Sequence, residues 1–246
     1  MTEATFKKST AREYFESLAI TVILALFGTT FIVQAFKIPT PSMEKNLLVG
    51  DHLLVNKFAY GARGSIVDAV LPFRDIHRGD VIVFKYPRDL SKHYVKRAIG
   101  LPGDRVRVQD TQVFINGQPL VEPYKQMRDR AYREDFPPLA GSLTYDLDGI
   151  SWYPTFLAPE GKEVVVPPSF YFAMGDNRDN SQDSRYWGFV SRDLIVGKAL
   201  VVYWSYESDS DAYRRTDVSD RAHQALDLVT NFFRKTRWSR TLKIIR

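Results

Sequence analysis

There is no cysteine anywhere in the 246 residues. That excludes a disulfide framework, a thiol nucleophile and a zinc site of the cysteine-rich kind, and it leaves disulfides unable to report the compartment. Histidine is nearly as scarce. The four that occur, His52, His77, His93 and His223, show neither HExxH nor His-x-His spacing, so a metal-dependent hydrolase is disfavoured. A Ser-His-Asp triad fares no better, lacking both a GxSxG elbow and a suitably placed histidine. Hydrolytic chemistry here must find another base. Strong charge is also missing from most of the chain: residues 212–246 hold nine Lys/Arg against three Asp, a net of +6 out of a total of +5, which leaves the remainder at −1. A nucleic-acid-binding core is thereby disfavoured, and a basic tail able to meet phosphates is indicated.

Long hydrophobic runs are confined to one place. From Ser17 to Phe36, SLAITVILALFGTTFIVQAF passes twenty residues without a charge, between Glu16 and Lys37. At about 1.5 Å of helical rise per residue, that length spans the roughly 30 Å hydrocarbon core of a bilayer. It predicts one transmembrane helix over 17–36, with Thr21, Thr29 and Thr30 bonding back onto helix carbonyls and Gln34 near the far interface. A buried core helix seldom runs so far without a polar face. A cleaved secretory signal is the closer rival, with Lys7, Lys8 and Arg12 as leader and a cut after Val33-Gln34-Ala35, but the run exceeds the roughly 7–15 residue core of such signals. Three Lys/Arg precede the segment, while Lys37 and Lys45 follow it. This bias puts residues 1–16 in the cytoplasm and the larger part of the chain outside it, at the inner (plasma) membrane.

Beyond residue 36 the 44% hydrophobic composition is spent in short alternating or β-branched runs separated by Gly, Pro and Asp: His52–Asn56, Asp80–Lys85, Tyr94–Ile99, Arg105–Val108, Gln112–Ile115, Val164–Val166, Phe170–Met174 and Leu200–Trp204. Such spacing predicts a mainly β, antiparallel fold, with a type I′ turn at Asn116-Gly117. Residues 122–163, rich in charge, aromatics and proline, read as an inserted subsidiary lobe of a domain over 37–211. The tail, 212–246, places Ala222, Ala225, Leu226, Val229, Phe232 and Phe233 at helical spacing. Ser219 is its expected N-cap, and Arg234, Lys235 and Arg237 lie where the helix dipole favours them. Two readings of this amphipathic helix stand side by side: an interfacial helix on anionic lipid, and a helix docked on the domain.

Three stretches could carry chemistry. In Ile38-Pro39-Thr40-Pro41-Ser42-Met43 two prolines at alternate positions hold the chain extended and present Ser42 rigidly, although a serine after proline is more often a turn residue. In His93–Gly100, strand alternation puts Tyr94, Lys96 and Ala98 on one face. Lys96 there either snorkels to water or is partly desolvated, and only the second lowers its pKa far enough for a general base. The polar stretch Met174–Gly188, GDNRDNSQDSRYWG after the methionine, resembles a calcium loop superficially, but Arg178 and Ser181 stand where an EF-hand needs Asp/Asn and Gly. Arginines among carboxylates indicate instead an internal lattice of ion pairs.

Taken together, PTPSM, YVKRAIGLPGD and GDNRDNSQDSRYWGFV, in that order after an N-terminal apolar helix, closely resemble the motif boxes of bacterial type I signal peptidases, with RGDVIVFKYP (Arg78–Pro87) similar to the strand box between them. The resemblance covers the chain from the anchor to about Trp204. It implies a β-sheet, barrel-like peptidase fold and the removal of N-terminal signal peptides from exported, membrane-tethered preproteins after small residues (Ala-x-Ala), with no cofactor or metal. It further implies Ser42 as nucleophile, Lys96 as base, Thr40 as oxyanion donor with the Ser42 N–H, and Ser181 as the hydroxyl that orients the lysine. Asp176, Arg178, Asp183 and Arg185 would support the site, and Met43 would pack beside the nucleophile near substrate and membrane. Departures from the pattern are Thr40 where many members have Ser, a single preceding helix, Lys45 where proline is frequent, and the basic tail. A specialised single-substrate peptidase of the same family is a neighbouring reading; a LexA-like self-cleaving regulator is contradicted by the apolar helix.

Overall fold

The computed structural model describes residues 9–60, 73–129, 135–138, 153–208 and 217–245. Helix α1 runs Thr10–Phe27 and continues as a wide π turn over Gly28–Ile32. Ser9 caps it by accepting the Arg12 N–H, and Arg12 pairs with Glu16 one turn on. Thr21 and Thr29 do bond back, to the carbonyls of Ser17 (2.8 Å) and Ala25 (2.9 Å). The single helix expected over 17–36 is corrected at both ends: it starts at Thr10, and Val33–Lys37 is strand β1. The reason is pairing. β1 lies antiparallel on β2 (Asp51–Asn56), with Val33 opposite Asn56 and Lys37 opposite His52, so the last apolar residues of the run complete a sheet instead of a helix. The part from Thr10 to Thr30 remains long and apolar enough to cross a membrane, and none of it is buried against the rest of the protein.

Among the described residues the remaining strands are β3 (Val81–Tyr86), β4 (Asp89–Gly100), β5 (Arg105–Gln109), β6 (Gln112–Ile115), β7 (Gln118–Pro119), β8 (Val164–Val165), β9 (Phe170–Met174), β10 (Val190–Ser191), β11 (Ile195–Ser205) and β12 (Lys243–Ile244). An eight-stranded antiparallel sheet is ordered β1-β2-β11-β3-β4-β9-β10, with β12 joining β11. Both faces of its middle are covered. Ile82 and Phe84 of β3 enter one apolar cluster with Ala98, Ala173 and Trp187, while Val81 and Val83 enter another with Leu53, Val55 and Val202. A strand buried on both faces reads as a continuous apolar run, which is the VIVF of β3. Lys96 lies opposite Ile82 in this central pair and Arg97 opposite Val81, so alternation buries two cations on opposite faces.

A smaller sheet, β7-β6-β5-β8, closes over Ile99, Phe172 and Met174 with Val106, Val113, Ile115 and Phe136. Asn116 and Gly117 link β6 to β7 with φ of 52° and 80°, the left-handed pair a type I′ hairpin requires. Of residues 122–163, expected as a lobe, Tyr124, Phe136, Tyr153, Phe156 and Leu157 pack on this core: Phe136 bridges Val108 and Tyr153 lies edge-on to Phe136. Helix α2 is the short Ser184–Trp187, and α3 spans Val218–Lys235. The α3 N-cap is Asp217, not Ser219, which lies within the first turn. Nor is the tail only a helix. After α3 the chain turns at Trp238–Arg240, β12 pairs with Val201 and Val202, and Ile245 is buried in the core.

Candidate active site

Beyond β1 the chain keeps its pairing for one residue more, Ile38 N–H to Asp51 O (2.8 Å) and Gly50 N–H to Ile38 O (2.9 Å), and Thr40 is still extended at φ −127°, ψ 154°. Pro41 then opens a single 3₁₀ turn over Pro41–Met43, closed by Glu44 N–H to Pro41 O (3.1 Å). Proline suits that first position because its φ is preset and its missing N–H is not needed there. Ser42 therefore sits on a turn and not on the extended segment that the two prolines suggest. Met43 packs beside the nucleophile as expected: its side chain, only 1% exposed, lies against Leu47, Leu53 and Val81 and floors the cleft.

Ser42 and Lys96, 54 residues apart in sequence, meet: Lys96 Nζ and Ser42 Oγ are 2.5 Å apart. Lys96 is buried, and its pKa is lowered from 10.5 to about 8 chiefly by that loss of water; Arg185 lowers it further, while Asp183 and Asp176 oppose the shift. Tyr94, on the same face of β4, puts its ring 5.7 Å from the Nζ and is itself stacked on Tyr86 at 4.4 Å. Both members of the pair open onto a cleft of about 900 Å³ whose walls include Phe36, Ile38, Thr40, Tyr94 and Ser181. Thr40 thus stands on the wall, half-buried, two residues before the serine.

The loop after β9 is held by the ion pairs expected of it, but the partners are only partly those within the loop. Asp183 and Arg185 pair with each other through two 2.8 Å contacts, and Asp183 also accepts the Gly175 N–H (3.0 Å). Burial works against the Asp183 charge, yet Arg185, these bonds and Lys96 together hold its carboxyl below the usual range. Asp176 instead takes a two-point contact from Arg97 of β4 (2.8 and 2.7 Å) and one from Asn46 (2.7 Å). Arg178 pairs with Glu122, both almost wholly buried, and its carbonyl accepts from Arg185 (2.9 Å). Asn177 clamps the nucleophile turn, its backbone N–H on Ser42 O and its side-chain amide on Pro41 O, both at 3.1 Å. Gly175 sits where a Cβ would collide with Ser181 Oγ and come within 2.5 Å of Ser42 O, so only glycine lets loop and nucleophile approach so closely. Ser181 Oγ is buried with no hydrogen-bond partner among the described residues.

Sequence reasoning therefore missed Arg97, Glu122, Asn177 and Asn46. Arg97 carried a usable signal: if Lys96 faces one side of a strand covered on both faces, its neighbour faces the other and needs a counter-ion.

Chemically, a neutral amine 2.5 Å from a hydroxyl can take its proton, and the resulting alkoxide can attack a carbonyl lying in the open cleft. A serine hydroxyl and a buried amine so placed in an open cleft are suited to serine hydrolase chemistry. Residues 11–204 match the family described as signal peptidase, peptidase S26. Among curated relatives, the signal peptidase I of Pseudomonas fluorescens is 40% identical over 209 residues, covering 79% of this chain and 72% of that one. That of Pseudomonas aeruginosa is 37% identical with the same coverage, and that of Aquifex aeolicus 36% identical over 79% of this chain and 84% of the relative. The chain belongs to the signal peptidase family, peptidase S26, and is a serine peptidase.

Proposed function

We propose that this peptidase removes N-terminal signal peptides from exported preproteins at the membrane, cutting after small residues of the Ala-x-Ala kind, with Ser42 as nucleophile and Lys96 as general base. The observation that carries the reading is the buried 2.5 Å contact between Lys96 Nζ and Ser42 Oγ. The neutral lysine takes the hydroxyl proton as Ser42 Oγ bonds to the scissile carbonyl carbon, and the same proton passes to the departing amine as the peptide bond breaks. Water, deprotonated by Lys96, then hydrolyses the acyl-serine. The oxyanion is held by the Ser42 N–H and the Thr40 hydroxyl, and the buried Ser181 hydroxyl, without a partner of its own among the described residues, is the group left to orient the lysine when substrate is bound. Asp176, Arg178, Asp183 and Arg185 fix the loop that carries Ser181.

Extended substrate lies along the cleft walls, sending alternate side chains into them. Confinement between Ile38, Tyr94 and the nucleophile turn supports small residues at the first and third places before the cut. The solvent-facing apolar helix from Thr10 to Thr30 supports a single-pass anchor, with residues after it on the extracytoplasmic side. Tethering enzyme and preprotein in one bilayer raises the effective concentration of scissile bond at the site.

The test is cleavage of a membrane-inserted Ala-x-Ala preprotein by wild type, Ser42→Ala and Lys96→Ala. Cutting after the last Ala by wild type, with both variants folded and inactive, is the expected outcome. Undiminished cleavage by either variant would remove that residue from the mechanism, and an inactive wild type would remove the substrate class.

A further inference from the structure

Between the apolar helix and the cleft there is no linker. The π turn Gly28–Ile32 passes straight into β1 at Val33, and β1 with the residues after it gives the cleft Phe36, Ile38 and Thr40 before reaching Ser42. The Val33 N–H closes the turn on the Gly28 carbonyl. The carbonyls beyond it need partners from elsewhere, as at any helix end, and the negative end of the helix dipole favours a cation there. Lys57 supplies one: its Nζ donates to the Thr30 carbonyl at 2.6 Å. That lysine stands on a fixed base. It opens the 3₁₀ turn Lys57–Ala59 directly after β2, where the Asn56 side chain accepts the Phe58 N–H (2.8 Å) and Phe58 stacks on Phe73 (5.9 Å). Asn56 lies opposite Val33 on one side and Lys198 on the other. A Cβ at Gly197 would come within 2.2 Å of the Asn56 carbonyl, so only glycine lets β11 press so closely on this corner of the sheet. The same corner thus holds β1 by backbone pairing and the helix by Lys57. Two attachments, one on either side of the turn from helix to strand, fix an angle that one alone would leave free.

Resting on the membrane reading above, we propose that Lys57 is a positioning residue: by clasping the Thr30 carbonyl it fixes the angle between the spanning helix and the sheet, and so selects which bond of a tethered preprotein meets Ser42. The lever is β1 itself. From Val33 to Thr40 the backbone is strand or extended, a reach of about 23 Å at about 3.3 Å per residue. At that radius a swing of about 20°, the ordinary tilt of spanning helices, carries the nucleophile turn about 8 Å, the rise of roughly two to three strand residues. A preprotein held in the same bilayer presents its bonds at set heights, so such a displacement moves the cut. A short peptide in solution is indifferent to it.

The test uses the full chain in vesicles of phosphatidylcholine with phosphatidylglycerol, and a preprotein whose hydrophobic segment is followed by a run of alanines, so that successive Ala-x-Ala sites lie at successive heights. Wild type is expected to cut chiefly at one bond, read by mass spectrometry of the products. Lys57→Met, which keeps the length of the side chain and removes its donor, is expected to spread the cuts over roughly two to three neighbouring bonds, and Lys57→Arg to keep the single one. Cleavage of a short soluble Ala-x-Ala peptide in detergent should be unchanged in both. Lys57→Met cutting only at the wild-type bond overturns the inference; so does its loss of peptide cleavage in detergent, which would make Lys57 a residue of the fold alone. Wild type that cuts every site alike while resisting alkaline carbonate extraction also overturns it and leaves the anchor standing, whereas wild type stripped from the vesicles by carbonate removes the membrane reading itself. Because the chain has no cysteine, the angle can be read directly as well. Spin labels on Leu24→Cys in α1 and Gln118→Cys in β7, both exposed, should give one narrow distance with Lys57 present and a broadened one in Lys57→Met; equal widths refute the clasp.

Discussion

With Lys96 as the proposed general base, its pKa of about 8 makes the pH dependence of cleavage calculable. Only the neutral amine can accept the Ser42 proton. Below the pKa most of the lysine is charged and idle; above it most is neutral. For one group titrating near 8, the neutral fraction is about 0.09 at pH 7, about 0.5 at pH 8 and about 0.9 at pH 9. kcat/KM should accordingly rise about fivefold from pH 7 to 8 and less than about twofold from 8 to 9, whereas an ordinary lysine would give about tenfold for each step. The assay is initial rates on an Ala-x-Ala preprotein well below KM, in detergent at constant ionic strength. A rate still climbing tenfold per unit at pH 9 would refute the desolvation argument. The same burial has a stability counterpart. Because the folded pKa lies below the unfolded 10.5, the penalty is present in full below about pH 8 and is relieved as pH rises from there toward 10.5. Its size is bounded by the shift, about 3 kcal/mol. Lys96→Met should thus be inactive and more stable than wild type at pH 7 by up to about that amount, read from the denaturant midpoint.

Two further substitutions separate the roles around the lysine. Asp183→Asn removes a charge that raises the Lys96 pKa and leaves Arg185, which lowers it, so the rate limb should move to lower pH while the protein loses about 3–5 kcal/mol for a broken buried pair; a limb moving to higher pH contradicts this. Gly175→Ala drives a Cβ into Ser181 and the Ser42 carbonyl and should lower kcat about 100-fold through misplacement of the reacting groups, with circular dichroism unchanged; wild-type turnover would show that the close approach is dispensable.

Most strands could be read from alternation because each has one apolar face to bury, and β2 shows it plainly, with Asp51, Leu53 and Val55 buried and their neighbours half-exposed. β1 could not. Val33–Lys37 continues an apolar run, and only the presence of β2 beside it decides for strand over helix. β4 was read short because its outer residues, such as Ser91 and Lys92, are exposed with no pattern to mark them; β11 was read short although Ile195, Gly197 and Ala199 alternate into the interior, because Gly197 and Lys198 interrupt the apolar run. The pair Ser42 and Lys96 was visible through motif order, which stands in for a distance no local rule supplies. The ion-pair partners were not, since Glu122 and Arg97 find Arg178 and Asp176 from 56 and 79 residues away, and charge alone does not name a mate at that range.

β12 ties a distant stretch of chain to the nucleophile turn. Residues 240–245 supply the guanidinium for Asp51, a strand for β11 and a side chain for the core that holds Met43. Asp51 is fully buried and stands at the head of the strand on which β1 and the nucleophile turn are hung. Residues 240–245 are therefore part of the catalytic unit and not an appendage to it, because the ion pair and the apolar core behind the nucleophile turn both draw on them. A chain ending at residue 237 should remain sensitive to added protease where the full chain resists.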